Sequence, residues 1–254
     1  LYCAYHETPS KPGNCGVENT WRCEEYYFSS GLNSTSLSQL ATFDHYADPD
    51  KNLLGYVFEN DNLLYCVRHV FGDDMKDYFI SYSPIIQLNK FGKLIGVPSL
   101  QYDSNARPVV AFTVDGAGSY KLVFMHYTGI ANTTCRDTPS KYQCDVIDSS
   151  PSVMGPPSLR VVESEDYTAI AYTKAGALYF AKPVFDPEIA NCGSSENTWR
   201  CKFIRNFGPE SFVIDGVDLE MYESVQVAFL EDNTAISETR LNLANYVGSG
   251  GNCG

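Results

Sequence analysis

A cysteine-bounded loop recurs along this chain, and the recurrence restricts the possible folds more than any other feature. The segment NCGVENTWRC at residues 14–23 returns almost letter for letter as NCGSSENTWRC at residues 191–201. A looser copy, NTTCRDTPSKYQC, lies between them at residues 132–144. Self-similarity of this kind indicates an array of similar structural units.

The repeat extends upstream of the loop. PSLQYDSNARPVVAF begins at residue 98 and PSLRVVESEDYTAIAY begins at residue 157, and each leads to a second apolar segment and then to the loop. The period is about 50 to 60 residues. A single domain of residues 1–254 is expected, with an incomplete unit at each end. The predicted units are 1–28, 29–85, 86–148, 149–207 and 208–254.

Each unit is expected to form four short antiparallel strands. Its segments are rich in Val, Ile, Tyr and Phe that alternate with polar residues, and turn residues such as Asp115-Gly116 and Ala175-Gly176 separate them. No long stretch has apolar residues at helical spacing. A four-stranded sheet repeated about an axis is a propeller blade, so the predicted fold is an all-β propeller of four to five blades. A β-solenoid would need shorter coils than this period.

The pattern PSL-x-x-D…P-x-V/I-A-Y/F…L-Y-x-A…NCG…W-x-C-x-x-I resembles a repeat of secreted propeller-like proteins of bacteria and fungi. The resemblance covers nearly the whole chain and implies the propeller fold and an extracellular location. The first unit lacks the opening half of the pattern, and the unit 29–85 lacks both loop cysteines. The resemblance implies almost nothing about chemistry.

Six of the nine cysteines form pairs separated by eight or nine residues. Zinc sites of the ribbon kind use closer pairs, so these spacings are too long for them. Each pair is predicted to form a disulfide that closes the loop between the third and fourth strands of its own unit. Such bonds persist in oxidising compartments. The pairs are Cys15 with Cys23, Cys135 with Cys144, and Cys192 with Cys201.

The other three cysteines have no partner in their own unit. Cys3 and Cys66 share a repeat position and are interpreted as buried thiols that pack between blades, because equivalent positions of neighbouring blades lie too far apart for a disulfide. Apolar residues hold that position in the remaining units: Phe124, Phe180 and Leu243. Cys253 opens another loop, and its state is not predicted.

Two sequons, at Asn33 and Asn132, fall in expected loops and are predicted glycosylation sites. They favour secretion from a eukaryotic cell. No signal peptide or membrane-spanning run is present, and since the chain opens inside a repeat, a signal is expected upstream.

The ends do not fit each other simply. The chain begins with the last two strands of a unit and ends after the third strand of another. It could be a fragment of a longer array, it could close on itself, or one molecule could complete the next. The last arrangement would propagate head to tail.

The net charge of −13 argues against nucleic acid, which is bound mainly through Lys and Arg. The charge is spread along the chain and is interpreted as a solvated surface. The acidic segment at residues 48–52 lacks the order of an EF-hand loop. No metal or cofactor is predicted.

Some propellers are glycosidases with paired carboxylates, so recurring acids are candidate catalytic residues. An acid does recur near the end of each first strand, and a turn residue is the favoured interpretation. These acids are Asp44, Asp103, Glu163 and Glu223.

The histidines and tryptophans give no catalytic pattern either. His6 and His69 share a repeat position without forming a triad. The Thr-Trp of the loop resembles part of the sialidase Asp-box, but the Ser and Asp of that box are missing. Trp21 and Trp199 are therefore predicted to be packing anchors.

The sequence thus favours a secreted, non-enzymatic propeller that acts as a lectin-like or adhesive module. The 18 Tyr and 14 Phe suit glycan or extracellular protein surfaces as partners. The alternative is a structural subunit of a matrix, wall or filament that self-associates head to tail. A glycoside hydrolase ranks third.

Overall fold

The structure, a computed structural model, consists of antiparallel β-sheets. No α-helix occurs in the ranges whose placement it describes. These ranges are 2–6, 21–25, 36–44, 52–60, 62–71, 78–105, 107–162, 167–184, 188–193, 198–207, 211–221, 225–233 and 238–245. The expectation of an all-β chain built from four-stranded antiparallel sheets is confirmed.

The chain divides into two units, Leu1–Ser34 and Thr35–Gly254. In the first unit, two strands form an antiparallel pair in which Ala4 lies opposite Cys23. The strands are β1 (Tyr2–His6) and β2 (Trp21–Glu25).

The second unit contains four further sheets. Strands follow one another in chain order within every sheet, so each sheet is an antiparallel meander. The β3–β6 sheet consists of β3 (Ser36–Asp44), β4 (Asn52–Asn60), β5 (Leu63–Phe71) and β6 (Tyr78–Gln87). A 3-10 turn at Leu88–Lys90 leads out of it.

The next two sheets also have four strands, and the last sheet has three described strands. The β7–β10 sheet consists of β7 (Lys93–Tyr102), β8 (Pro108–Asp115), β9 (Tyr120–Asn132) and β10 (Ser140–Ser150). The β11–β14 sheet consists of β11 (Ser158–Val162), β12 (Tyr167–Lys174), β13 (Ala177–Pro183) and β14 (Trp199–Asn206). The β15–β17 sheet consists of β15 (Ser211–Met221), β16 (Val225–Asn233) and β17 (Glu238–Asn245).

Consecutive sheets of the second unit pack face to face. The central strand β8 shows why, because its side chains are apolar on both faces and alternate between two cores. Val110 and Phe112 lie in the core shared with the β3–β6 sheet, whereas Val109 and Ala111 lie in the core shared with the β11–β14 sheet. A strand buried on both faces reads as a continuous apolar run, as VVAF does here.

A third core joins the β11–β14 and β15–β17 sheets. Ala171 and Phe180 of the former pack with Val227 and Phe229 of the latter. The first strands also contact one another in series, β3 with β7, β7 with β11, and β11 with β15.

A hydrogen bond from one repeat to the next recurs between these first strands. The backbone N–H of Leu159 donates to Ser99 Oγ at 3.0 Å, and the N–H of Leu219 donates to Ser158 Oγ, also at 3.0 Å. Both serines are buried, so each satisfies a backbone donor that water does not reach. We call this contact the serine link.

Three of the first strands, β3, β7 and β15, contain a bulge just before the position of the serine link or of its equivalent. In β7 the register shifts between Ile95 and Ser99, and Gly96 has a φ of +64° there. A Cβ at Gly96 would lie only 2.9 Å from the side chain of Pro156 in the next repeat. Glycine is therefore required both by the left-handed backbone and by the close approach of the neighbouring sheet.

The last sheet exposes positions that the preceding sheets bury. Leu122 and Leu178 are 0 % exposed, whereas Leu241 at the same repeat position is 75 % exposed. Leu243 is likewise exposed, while its equivalents, Phe124 and Phe180, are buried. Four residues lie together on this face of the β15–β17 sheet, because Ala228 pairs with Leu243 and Leu230 pairs with Leu241. We call Ala228, Leu230, Leu241 and Leu243 the open face.

A matched pair of leucine substitutions should distinguish the buried position from the exposed one. We expect Leu122→Ala to lower the free energy of unfolding by about 2 to 5 kcal/mol, because it leaves a cavity in a packed core. Leu241→Ala should change it by about 0.5 kcal/mol or less, as for an exposed residue. Urea denaturation measures both, and equal losses would contradict the assignment of the open face.

Candidate functional site

Two of the three predicted disulfides lie within the described residues. Cys135 bonds to Cys144 and Cys192 bonds to Cys201, with Cα–Cα distances of 4.9 and 5.8 Å. Each closes the loop between the third and fourth strands of its sheet, as the spacing predicts. Cys15 lies outside the described residues, so the predicted pair of Cys15 with Cys23 stays a prediction.

The residue before the first cysteine organises each loop. Asn191 Oδ1 accepts from the backbone N–H of Cys201 at 2.6 Å, and Asn191 Nδ2 donates to the carbonyl of Cys201 at 2.9 Å. In the other loop, Thr134 Oγ1 accepts from the N–H of Cys144 at 2.9 Å. The Asn of the NCG segment therefore has a structural role that the spacing of the cysteines did not reveal.

Cys66 is a buried thiol, as its repeat position suggested. Its Sγ lies 4.0 Å from Tyr102 Oη, in the core between the β3–β6 and β7–β10 sheets. The side chain of Cys3 and the whole of Cys253 lie outside the described part of the chain.

The sequon at Asn132 is at the end of β9 and is half-buried. Asn132 Oδ1 accepts from the backbone N–H of Thr134 at 3.1 Å and from its hydroxyl at 2.6 Å, while Asn132 Nδ2 donates to the carbonyl of Ile130. Asn33 lies outside the described residues. Glycosylation at both positions remains a prediction.

Asp103 is a turn residue. Its Oδ1 accepts from the backbone N–H groups of Asn105 and Arg107, each at 2.9 Å, and its Oδ2 accepts from Arg107 Nε at 2.6 Å. Asp44 ends β3. The other two acids considered for catalysis, Glu163 and Glu223, lie outside the described residues, so the structure brings no pair of these acids together in a described site.

The turn at Asp103 holds an arginine over a tyrosine. The Cζ of Arg107 lies 4.4 Å from the centroid of the Tyr127 ring, and Tyr127 meets Tyr142 edge to face at 5.4 Å. A second ion-pair contact joins the Arg107 guanidinium to Asp103 at 2.6 Å. The side chains of Arg107, Tyr127 and Tyr142 are all half-buried. We call Arg107, Tyr127 and Tyr142 the arginine–tyrosine cluster.

Burial raises the pKa of Tyr142 to about 12, and the thiol of Cys66 and the carboxylate of Asp103 act in the same direction. The phenol therefore stays neutral and can both donate and accept hydrogen bonds at physiological pH. With a fixed guanidinium beside it, the cluster offers several donors and an aromatic edge. Sequence inspection missed it, because three strands of the β7–β10 sheet bring it together.

A histidine lies among aromatic rings at the interface between the β7–β10 and β11–β14 sheets. His126 stacks on Phe124 with ring centroids 5.3 Å apart, and Trp199 meets Phe124 edge to face at 5.1 Å. Trp199 is buried, as expected of a packing anchor. Burial lowers the pKa of His126, while Asp145, 3.7 Å from its Nδ1, opposes that shift. The side chains of Trp21, His6 and His69 are outside the described part.

Three polar side chains join the β7–β10 sheet to the β11–β14 sheet. Asp148 of β10 accepts from Tyr172 Oη at 2.7 Å and from Lys174 Nζ at 2.5 Å, and both donors belong to β12. Burial and the charge of Asp148 raise the pKa of Tyr172, so its phenol stays protonated and donates. This triad joins two sheets and is a structural contact.

The described residues give no sign of a metal site. Among them, no group of three or more His, Cys, Asp or Glu side chains is arranged to hold an ion. No helix found among them is long and apolar enough to cross a membrane.

These features define the second unit as an all-β array of packed antiparallel sheets, two of which have loops closed by disulfides. No family model, curated protein or solved structure matches the chain.

Peptide mapping under non-reducing conditions checks the disulfides. We expect Cys135 linked to Cys144, Cys192 linked to Cys201, and Cys15 linked to Cys23, since all three pairs share one loop context. A link between cysteines of different repeats would contradict the assignment.

The stability of the protein should depend on His126 at mildly acidic pH. Because the folded pKa of His126 lies below its ordinary value of about 6.5, the unfolded chain binds the proton more tightly, and the free energy of unfolding falls as the pH drops below about 6.5. His126→Gln should weaken this dependence. Urea midpoints at several pH values between 7.5 and 5.5 measure it, and identical slopes in both proteins would disprove the role of His126.

Proposed function

We propose that this chain forms a β-propeller of four or five blades. Three observations support the proposal: each repeat is one antiparallel meander, consecutive sheets pack face to face, and the first strands contact one another in series. First strands in series are the arrangement expected around a propeller axis.

On this fold we propose a non-enzymatic extracellular binding module of the lectin-like or adhesive kind. The observation that carries the proposal is the arginine–tyrosine cluster, where Asp103 fixes the guanidinium of Arg107 over Tyr127. Guanidinium N–H groups and tyrosine hydroxyls match the closely spaced hydroxyl oxygens of a sugar. The side chain of Arg107 is 35 % exposed, which leaves it accessible to such a ligand.

An extracellular location follows from the same proposal. Disulfides persist in oxidising compartments, and two disulfides close loops in the described part of the chain. The predicted sequons at Asn33 and Asn132 fit that setting.

A glycoside hydrolase is less well supported. Asp103 accepts three hydrogen bonds from its own turn, and a carboxylate held in this way has a structural use. A glycosidase would need a second carboxylate facing the same cleft.

A second function is favoured by a different observation, the open face. Leu241 and Leu243 are exposed together with Leu230 on one side of the last sheet. Contiguous exposed apolar residues indicate association with another protein surface. This supports the alternative of a structural subunit in a matrix, wall or filament.

A glycan array tests the lectin-like function. We expect the intact protein to bind a restricted set of glycans, and Arg107→Ala to weaken binding by about tenfold or more, because a hydrogen bond from a charged donor is lost. Lys93→Ala removes the same charge at the opposite end of β7 and should have no effect. The proposal fails if no glycan is bound, or if both variants bind as the intact protein does.

A further inference from the structure

Two of the three described interfaces between neighbouring sheets of the second unit combine an apolar contact with a hydrogen bond. An apolar face of one sheet packs on the next, and in two interfaces a serine of the first strand accepts a hydrogen bond from a leucine N–H one repeat later. The earlier sheet supplies the acceptor, and the later sheet supplies the donor. In both serine links, therefore, the donor lies one repeat after the acceptor along the chain.

The last sheet carries the acceptor half of this interface. Asp218 holds the position of the linking serines, because it lies opposite Ala228 as Ser99 lies opposite Ala111 and Ser158 lies opposite Ala171. The linking serines are buried, whereas Asp218 is exposed, with its Oδ1 accepting from the Ser158 hydroxyl at 3.5 Å. Its carboxylate is an acceptor for a backbone N–H, as the serine hydroxyl is.

The apolar half of the interface is present on the same side. Leu241 and Leu243 of the open face correspond to Leu178 and Phe180, which are buried under the β15–β17 sheet in the preceding interface. The last sheet therefore presents both components that bind a following sheet.

The β3–β6 sheet carries the complementary donor half. Leu40 lies opposite Tyr56 as Leu100 lies opposite Val110 and Leu159 lies opposite Ile170, so it holds the position of the donor leucines. In the part of the chain that the structure describes, no first strand of another repeat precedes β3. Among the described residues of the second unit, β3 therefore holds the donor position and the β15–β17 sheet holds the acceptor position.

We propose that the open face and Asp218 bind the β3–β6 sheet of a second copy of this chain, with the N–H of Leu40 donating to Asp218. The contact continues the sheet-to-sheet interfaces already present in one molecule. It is heterologous, because different surfaces meet, and repeated use would build a ring or a filament. The inference rests on the structural alternative proposed above, in which the blades of one chain do not close into a ring by themselves and a second copy supplies the next blade, and it is independent of glycan binding.

Association in solution provides the first test. Sedimentation velocity across micromolar concentrations should show concentration-dependent growth of the intact protein. Leu241→Arg and Leu243→Arg should weaken association by about tenfold or more, because each places a charge in the contact. Ile130→Arg is the matched control, because Ile130 is also exposed, at 74 %, but lies outside the open face. Circular dichroism establishes that each variant is folded.

A cross-link tests the pairing itself. The serine links join a side-chain oxygen to a backbone nitrogen at 3.0 Å, a separation that brings the two residues within disulfide range. Mixing Asp218→Cys protein with Leu40→Cys protein should give a disulfide dimer mapped to positions 218 and 40, and Asp218→Asn should keep the association.

Four outcomes would overturn the proposal. These are a monomer at every concentration, association unaffected by Leu241→Arg, cross-links from 218 to 218, and a 218–40 cross-link within one molecule. Because glycan binding is measured separately on the monomeric Leu241→Arg protein, failure of assembly and failure of the lectin-like function give different results.

Discussion

The structure depends on burying both faces of its inner sheets. A four-stranded sheet of this composition has two apolar sides, and in water neither side is stable alone. The β7–β10 sheet meets one neighbour through Val110 and Phe112 and another through Val109 and Ala111. Because the main contacts of the described strands run between consecutive sheets, the stability of the second unit is approximately a sum of local interfaces, as in other repeat arrays.

Polar contacts decide how those interfaces are aligned. Apolar packing tolerates small shifts of one sheet over another, whereas hydrogen bonds do not. The serine links fix first strands at the centre of the contact, and Asp148 with Tyr172 and Lys174 fixes the rim of the interface between the β7–β10 and β11–β14 sheets. Their burial makes a shifted arrangement costly, since a slip would leave backbone donors without partners.

Sequence inspection predicted the all-β class and the four-stranded antiparallel sheets, because alternating apolar residues and turn residues are local signals. It identified the loops of Cys135 and Cys192 correctly, and it interpreted Asp103 as a turn residue, which the hydrogen bonds of the turn support. The recurrent PSL segment held a further signal, the shared serine. The arginine–tyrosine cluster could not be predicted, because Arg107, Tyr127 and Tyr142 meet only through the register of three strands. The exposure of Leu241 also depends on which sheets neighbour it.

The disulfides have a mechanical consequence. Each closes a loop within a single sheet, and no described disulfide joins two sheets. Between the described sheets, tension along the chain is therefore resisted by apolar interfaces and hydrogen bonds. A disulfide also holds its loop closed under tension. The loop residues between Cys135 and Cys144, and between Cys192 and Cys201, therefore add nothing to the length of the stretched chain. Oxidation shortens the extended length of the two repeats that contain these disulfides, while the force needed to separate each repeat depends on its contacts with the neighbouring sheet.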